Sequence, residues 1–559
     1  MPAELMKQKI SYAQEFIDSH KGSALKGHWR QQFHFMPEVG WMNDPNGIIE
    51  YRGKYHFFYQ YNPFTPFWDS MYWGHAVSDD MIHWDYLPPA LAPSEDYDNH
   101  QKGGCFSGSA IEKDGRLFLI YTGTYNNGDG FKQVQCVAYS DDGIHFAKYG
   151  GNPVLTAPEG YEEANFRDPC VWEHEGNYYM VCGASKDHLA QALLFKSSDL
   201  FHWDFVNVLA ESYGDLGYMW ECPDFFELDG RYVLLISPMG VGNRTAIYLV
   251  GDFDYDTGKF TYVITGNSDN GFDFYAPKSF KDHKGRRMVV AWANEWDWMP
   301  RWKDWGPTYK ENWCGSFNLI REVHLNKDNT LSFLPIEEYQ AIRTEDTERT
   351  SLEVSDIPFT ILEESQACEI QAVIDLTSTD ALQVVFSLKG NNEYHLDLIL
   401  DLEHQMVILD RNQADGWSRG KTHTEIRKHD RNDLTLDIFI DRSSVEVFIE
   451  DYHTVLSSNV FAADNQLKNT VYAVGGTCML KKLKTFQIVA GKLQLFAVPD
   501  LQSAVSITIS ERAFFIISSG WESGRIQSSM ADSGRITGMR SWSFRSSAEG
   551  SFVRTVNTG

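Results

Sequence analysis

The sequence predicts an all-β protein, a five-bladed β-propeller followed by a β-sandwich, and three observations predict it. A glycine followed by an aromatic or β-branched run recurs five times: "GKYHFFYQY" from Gly53, "GRLFLIYTG" from Gly115, "GNYYMVCGA" from Gly176, "GRYVLLISP" from Gly230 and "GRRMVVAWA" from Gly285. By subtraction the intervals are 62, 61, 54 and 55 residues, the period of a propeller blade of about four short strands. A second motif repeats in phase, "SDDMIHWDY" from Ser78, "SDDGIHFAK" from Ser140 and "SSDLFHWDF" from Ser197, and reads as a turn into the next strand of each unit. Farther on, "LQVVFSL", "YHLDLIL", "LTLDIFI" and "SVEVFIE" alternate apolar and polar residues as half-buried sandwich strands do.

Taken in order, residues 1–30 read as a polar helical segment with no apolar h-region, hence no secretory signal. Residues 31–335 hold the five repeats and are expected to form the propeller. Residues 336–350 are charge-rich and read as a linker, and 351–497 as the sandwich. The segment 498–559 departs from the rest: from Leu501 it has 14 Ser and six Arg but no Lys, the composition of a flexible or foreign tail.

Composition excludes several classes of function. The 559 residues carry 49 basic and 77 acidic side chains, a formal charge of −28, which repels nucleic acid and anionic membrane alike. No apolar run approaches the roughly 18 to 20 residues that span a bilayer. Eight cysteines without CxxC pairs read as reduced, buried thiols of a cytoplasmic protein. The 18 histidines form no HExxH, and "GDFDYDTGKF" lacks the glycine and glutamate of a calcium loop, so neither a metal nor a cofactor is expected. The 17 tryptophans suit a large β-core and also suit stacking on sugar faces.

Chemistry enters with the short segment ahead of each repeated glycine: "NDPNG" at 43–47, "FSGSA" at 106–110, "RDPCV" at 167–171, "ECPDF" at 221–225 and "FYAPK" at 274–278. Each reads as the innermost strand of its blade. Asp44, Asp168 and Glu221 precede their glycines by 9, 8 and 9 residues by subtraction, so they read as equivalent positions converging on one funnel. A lone Asp before Pro-Asn-Gly is a turn former. Three carboxylates in a closed ring raise one another's pKa, which points to function. Cleavage of a glycosidic bond uses one carboxylic acid on the leaving oxygen and one carboxylate at the oxocarbenium-like centre, roughly 5 to 5.5 Å apart in retaining enzymes. Glu221, beside Trp220 and Cys222, reads as the acid in partly apolar surroundings. Asp44, among polar amides, reads as the ionised nucleophile, and Asp168, after Arg167, as an ionised group binding sugar hydroxyls.

In order and spacing, "WMNDPNG", "FSGS", "RDP" and "WECP" resemble the signature blocks of glycoside hydrolase family 32, the β-fructofuranosidases, over about His34 to Ile488. The resemblance implies Asp44 as nucleophile, Glu221 as acid/base and Asp168 as transition-state stabiliser. It also implies a fructose pocket lined by Asn43, Gln60, Trp68, Phe106, Ser107, Arg167, Tyr275 and Trp292. The implied substrate is sucrose, sucrose 6-phosphate or a short fructo-oligosaccharide, cleaved through a covalent fructosyl-enzyme. Alternatives on the same scaffold are a fructosyltransferase, a fructan exo-hydrolase and a non-catalytic carbohydrate-binding propeller. A phosphorylated substrate needs cations, and Arg244, Lys278, Arg301, Lys303 and Lys310 are candidates at the funnel rim. The expected partner is this small sugar alone, and a homodimer is one oligomeric state open to the chain.

Overall fold

The computed structural model describes residues 2–242, 244–296, 306–363, 366–391, 393–426, 432–462 and 467–489, with three short strands beyond. The amino-terminal helix, Pro2–Ala24, buries Met6, Ala13, Ile17 and Ala24 on one face and lies against strand Trp84–Leu91 of the first blade.

Five antiparallel sheets follow, each with its strands in chain order from the centre outward. Their inner strands are Gly40–Pro45, Gly104–Lys113, Phe166–His174, Met219–Leu228 and Tyr275–Lys281. The repeated glycines sit in the hairpin that leads out of each inner region, with φ of +76°, +76°, +75°, +79° and +83°. In four of the five the preceding residue (Arg52, Asp114, Glu175 or Asp229) is also left-handed, so these turns need positive φ twice in succession. That requirement is why a glycine marks every blade. The second repeated motif caps a turn: Ser78 Oγ accepts from Asp80 N and Met81 N, Asp80 Oδ1 from Ile82 N and His83 N, and the same set recurs from Ser140 and Ser197.

Every inner strand carries a bulge at the same height. The ladders slip between Met42 and Pro45, Phe106 and Gly108, Arg167 and Cys170, Glu221 and Asp224, and Tyr275 and Lys278. Proline causes three of these slips, because Pro169, Pro223 and Pro277 have no N–H to give to the ladder. The ring is closed by Trp313–Cys314, which pairs in parallel with Gly40–Trp41 of the first blade.

The sandwich consists of two six-stranded antiparallel sheets around an aliphatic core that includes Ile370, Val384, Leu398, Leu436, Val447 and Leu480. Residues 336–350 differ from the linker expected. Glu337–Ile342 form a 3₁₀ turn, and Arg343–Val354 form a sheet-edge strand paired with Cys478–Ile488. Most of that strand is exposed, so its side chains are polar on both faces and the period-2 signal is lost. Where propeller and sandwich meet, a buried charge network joins them. Arg321 binds Asp269 and Glu446, and His34 lies between Asp441 and Glu446. Among the described residues no helix is long and apolar enough to cross a membrane. The tail from 498 lies outside the described residues, save for strands Arg525–Ile526, Trp542–Ser546 and Phe552–Thr555, which pair in that order.

Candidate active site

At the height of the bulges the five inner strands open into a funnel. Its pocket is lined by Asn43, Asp44, Gln60, Trp68, Phe106, Ser107, Arg167, Asp168, Glu221, Met239 and Trp296. All three carboxylates read from the sequence therefore reach one cavity, from blades one, three and four.

Register explains how they meet, and corrects their supposed equivalence. Arg167, Glu221 and Tyr275 each stand one residue before the bulge of consecutive blades, while Asp168, Cys222 and Ala276 stand in it, with φ of +67°, +50° and +53°. Thus the counterpart of Asp168 is Cys222, and Glu221 is level with Arg167 and Tyr275. Arg167 Nη2 and Nε lie 2.9 and 3.1 Å from Glu221 Oε1, and the Tyr275 hydroxyl donates to Oε2. The apolar surroundings expected for Glu221 are absent. Strand alternation turns Trp220 and Cys222 into the wall, both fully buried, and turns Glu221 toward a guanidinium and a phenol. Likewise Arg167 is closer to Glu221 than to Asp168, from which its Nε is 3.9 Å.

Asp168 is fixed by backbone: its Oδ2 accepts from Cys222 N at 2.9 Å, and its own N–H donates to Thr122 Oγ1 at 2.9 Å. Asp44 Oδ2 accepts from Ser107 Oγ at 2.7 Å and from the Cys222 thiol at 3.5 Å. Burial, then the charges of Asp168 and Glu221, push the Asp44 carboxyl up to about 7, against the ionised state expected of it. Asp168 is also raised, by burial against the opposing pull of Arg167. Hydrogen bonds from Ser107 and Asn43 pull the other way and are outweighed by burial, which the polar residues flanking Asp44 in the chain do not reveal. Asn43 Oδ1 itself accepts from Trp41 Nε1.

Gln60, Trp68, Phe106 and Ser107 line the pocket, with Trp68 and Phe106 edge to face at 6.1 Å. Tyr275 sits behind Glu221, and Trp292 lies outside the pocket: it is fully buried behind Trp296, 4.6 Å between ring centroids. Trp296 and Met239 take part in the lining instead, and Cys222 touches both aspartates. "WANEW" held the signal for Trp296, since three residues separate the two indoles and the strand ends at the first.

Of the cations proposed for the rim, Lys278 is not there. It is 2% exposed and donates to Pro223 O at 3.0 Å, because the bulge at Ala276–Pro277 turns it down the channel. Arg244 is half-buried on Asn267 Oδ1, and Lys310 stands exposed over the Tyr309 ring. Arg301 and Lys303 lie outside the described residues. Lys102, not singled out before, places its ammonium 5.9 Å from the Trp68 ring.

A ring of five blades with three carboxylates converging on one pocket defines an enzyme of the glycoside hydrolase class. Residues 34–335 match the glycosyl hydrolases family 32 N-terminal domain, and residues 338–488 match the family 32 C-terminal domain. The sucrose-6-phosphate hydrolase of Escherichia coli is 38% identical over 491 residues, 84% of this chain and 97% of that protein. That of Bacillus subtilis (strain 168) is 36% identical over 481 residues, 83% and 95% of the two chains. The solved structure of the Bombyx mori GH32 beta-fructofuranosidase BmSUC1 superposes with a TM-score of 0.74 at 30% identity, covering 87% of this chain and 99% of that one. The chain belongs to glycosyl hydrolase family 32.

Proposed function

We propose that this chain is a retaining β-fructofuranosidase acting on sucrose or sucrose 6-phosphate. The observation that carries the reading is the convergence of Asp44, Asp168 and Glu221 on one pocket. Asp44 attacks the anomeric carbon of the fructosyl unit while Glu221 protonates the departing oxygen, giving a fructosyl ester on Asp44. Glu221 then deprotonates a water that cleaves this ester. Asp168, held by the Cys222 N–H, accepts hydrogen bonds from fructose hydroxyls that tighten as the ring flattens. The step requires Asp44 ionised and the transferable proton on Glu221.

Trp68, with Lys102 beside it, offers a face for the leaving sugar and a cation for a phosphate on it. The relatives named for sucrose 6-phosphate support that substrate, and eight buried cysteine thiols support a cytoplasmic location. The test is proton NMR of a fresh digest beside kcat/KM on sucrose, sucrose 6-phosphate and 1-kestose. β-Fructose is expected first. Release of the α-anomer would overturn the double displacement, and turnover of none of the three sugars would overturn the activity.

A further inference from the structure

Below the carboxylates the channel does not end. The inner strands continue past their bulges to line a second cavity of about 440 Å³ on the far side, walled by residues 46–49, 109–110, 170–174, 224–229 and 278–281. Lys278 stands at the junction. Its ammonium is buried and donates to Pro223 O, in the same bulge as Cys222, whose N–H binds Asp168.

A charged side chain in such a place is costly unless opposite charge faces it. The groups that face it come from three blades. Blade three supplies Asp168 and the thiol of Cys170, blade four Asp224 and the thiol of Cys222, and blade five lines the same cavity with Arg287. Asp224 is already occupied, with Oδ2 accepting from Ser279 N at 2.5 Å and Oδ1 from Cys170 Sγ at 3.0 Å. Around Asp168 itself stand Arg167, Glu221 and Cys222 as well as Lys278. Arg167 is the other cation here, but it lines the pocket and is bound to Glu221. Lys278 does not line that pocket, so a sugar entering the funnel leaves it in place.

We propose that Lys278 is a positioning residue for the hydrolytic reaction, a fixed positive charge beneath the site that holds Asp168 ionised on the Cys222 N–H. The proposal rests on the role given to Asp168 above. Its effect is electrostatic and through the protein, with no contact to substrate. Burial disfavours the charge on Lys278, and the carboxylates of Asp224 and Asp168 favour it, the neighbouring thiols of Cys170 and Cys222 being held neutral by burial.

The test compares the pH dependence of kcat/KM on sucrose for the full-length wild type, Lys278→Met and Lys278→Arg. Removing a cation from beside a carboxylate raises that carboxylate's pKa by about one unit or more. The acidic limb of Lys278→Met should therefore move up by about one pH unit, about a tenfold loss of kcat/KM below the limb, with KM little changed. Lys278→Arg should restore the limb. If Lys278→Met does not fold, Lys278→Met with Asp224→Asn removes both buried charges, and the same displacement is expected against Asp224→Asn alone. A variant that melts earlier but keeps the wild-type limb would overturn the proposal and leave Lys278 a structural residue. Failure of the wild type on sucrose and its 6-phosphate would instead remove the reading on which it rests.

Discussion

Arg167 and Glu221 meet in the funnel 54 residues apart in the chain, with Nη2 2.9 Å from Oε1, and Tyr275, a further 54 residues on, closes the other side of the same carboxylate. One guanidinium and one phenol thus orient the group assigned as acid. Replacing Glu221 with Gln, or Asp44 with Asn, keeps the shape and removes the chemistry. Each change should lower kcat on sucrose by at least about 10³. Near-normal turnover by either folded variant would remove that residue from its role.

Arg167→Lys keeps the charge and loses the planar head that presents two nitrogens to one oxygen. Because Glu221 is then held less closely, kcat should fall by roughly 10²-fold with a smaller change in KM. Steady-state kinetics on variants whose melting temperature matches wild type would read this directly. A rise in KM alone would mean that Arg167 chiefly binds ground-state sugar.

The raised pKa of Asp44 has a consequence for stability. In the folded chain this carboxyl keeps its proton up to about 7, whereas unfolded it ionises near its model-peptide value of about 3.9. Between those values the native state binds the extra proton, so the contribution of Asp44 to stability falls as pH rises through the window. Asp44→Asn should melt close to wild type at pH 4 and at increasingly higher temperature than wild type as pH rises to about 7, with the gap constant above that. Equal melting curves at pH 8 would contradict the assignment.

His34 works in the opposite sense. Burial pulls its pKa down, but hydrogen bonds to Asp441 (2.9 Å) and Glu446 (3.1 Å) outweigh burial and bring it to about 9. The stabilisation is therefore complete below about 6.5 and is lost as pH rises through about 9. Glu446, also buried but held low by Arg321 and His34, loses its share only as pH falls through about 2. His34→Gln should cost about 3–5 kcal/mol at pH 6, since it takes the buried cation away from Asp441 and leaves Glu446 with Arg321 alone. By differential scanning calorimetry the gap to wild type should narrow above pH 9.

Removing residues 493–559 should leave kcat/KM and the melting temperature nearly unchanged, because the family match ends at 488 and the last sandwich strand at Ile488. A drop of several degrees would reveal a stabilising element in the tail.

Much of this architecture was legible because propellers repeat. Each blade must make the same left-handed hairpin, so the glycines recur, and each inner strand must bulge, so the prolines do. The 54-residue step even holds between the residues that touch, 167 to 221 to 275. What the chain hid was set by the bulge itself. One extra residue swaps which side chain faces the pocket, so Glu221 aligned with Arg167 where Asp168 had been expected, and Lys278 went below the site where a rim residue had been read. Trp292 and Trp296 are chemically alike, and only burial tells them apart. The edge strand Arg343–Val354 passed for a linker because exposure on both faces erases alternation.

The clasp between Trp313–Cys314 and Gly40–Trp41 also governs when the enzyme comes into being. Asn43 and Asp44 lie two and three residues beyond the clasped Trp41, and Glu221 has Tyr275 of the last blade at its side. A chain still on the ribosome will have made all three carboxylates by residue 221, yet it lacks the segment that draws its first blade against its last. Activity is therefore expected only once residues through Cys314 have been made, and a chain ended before them should be inert.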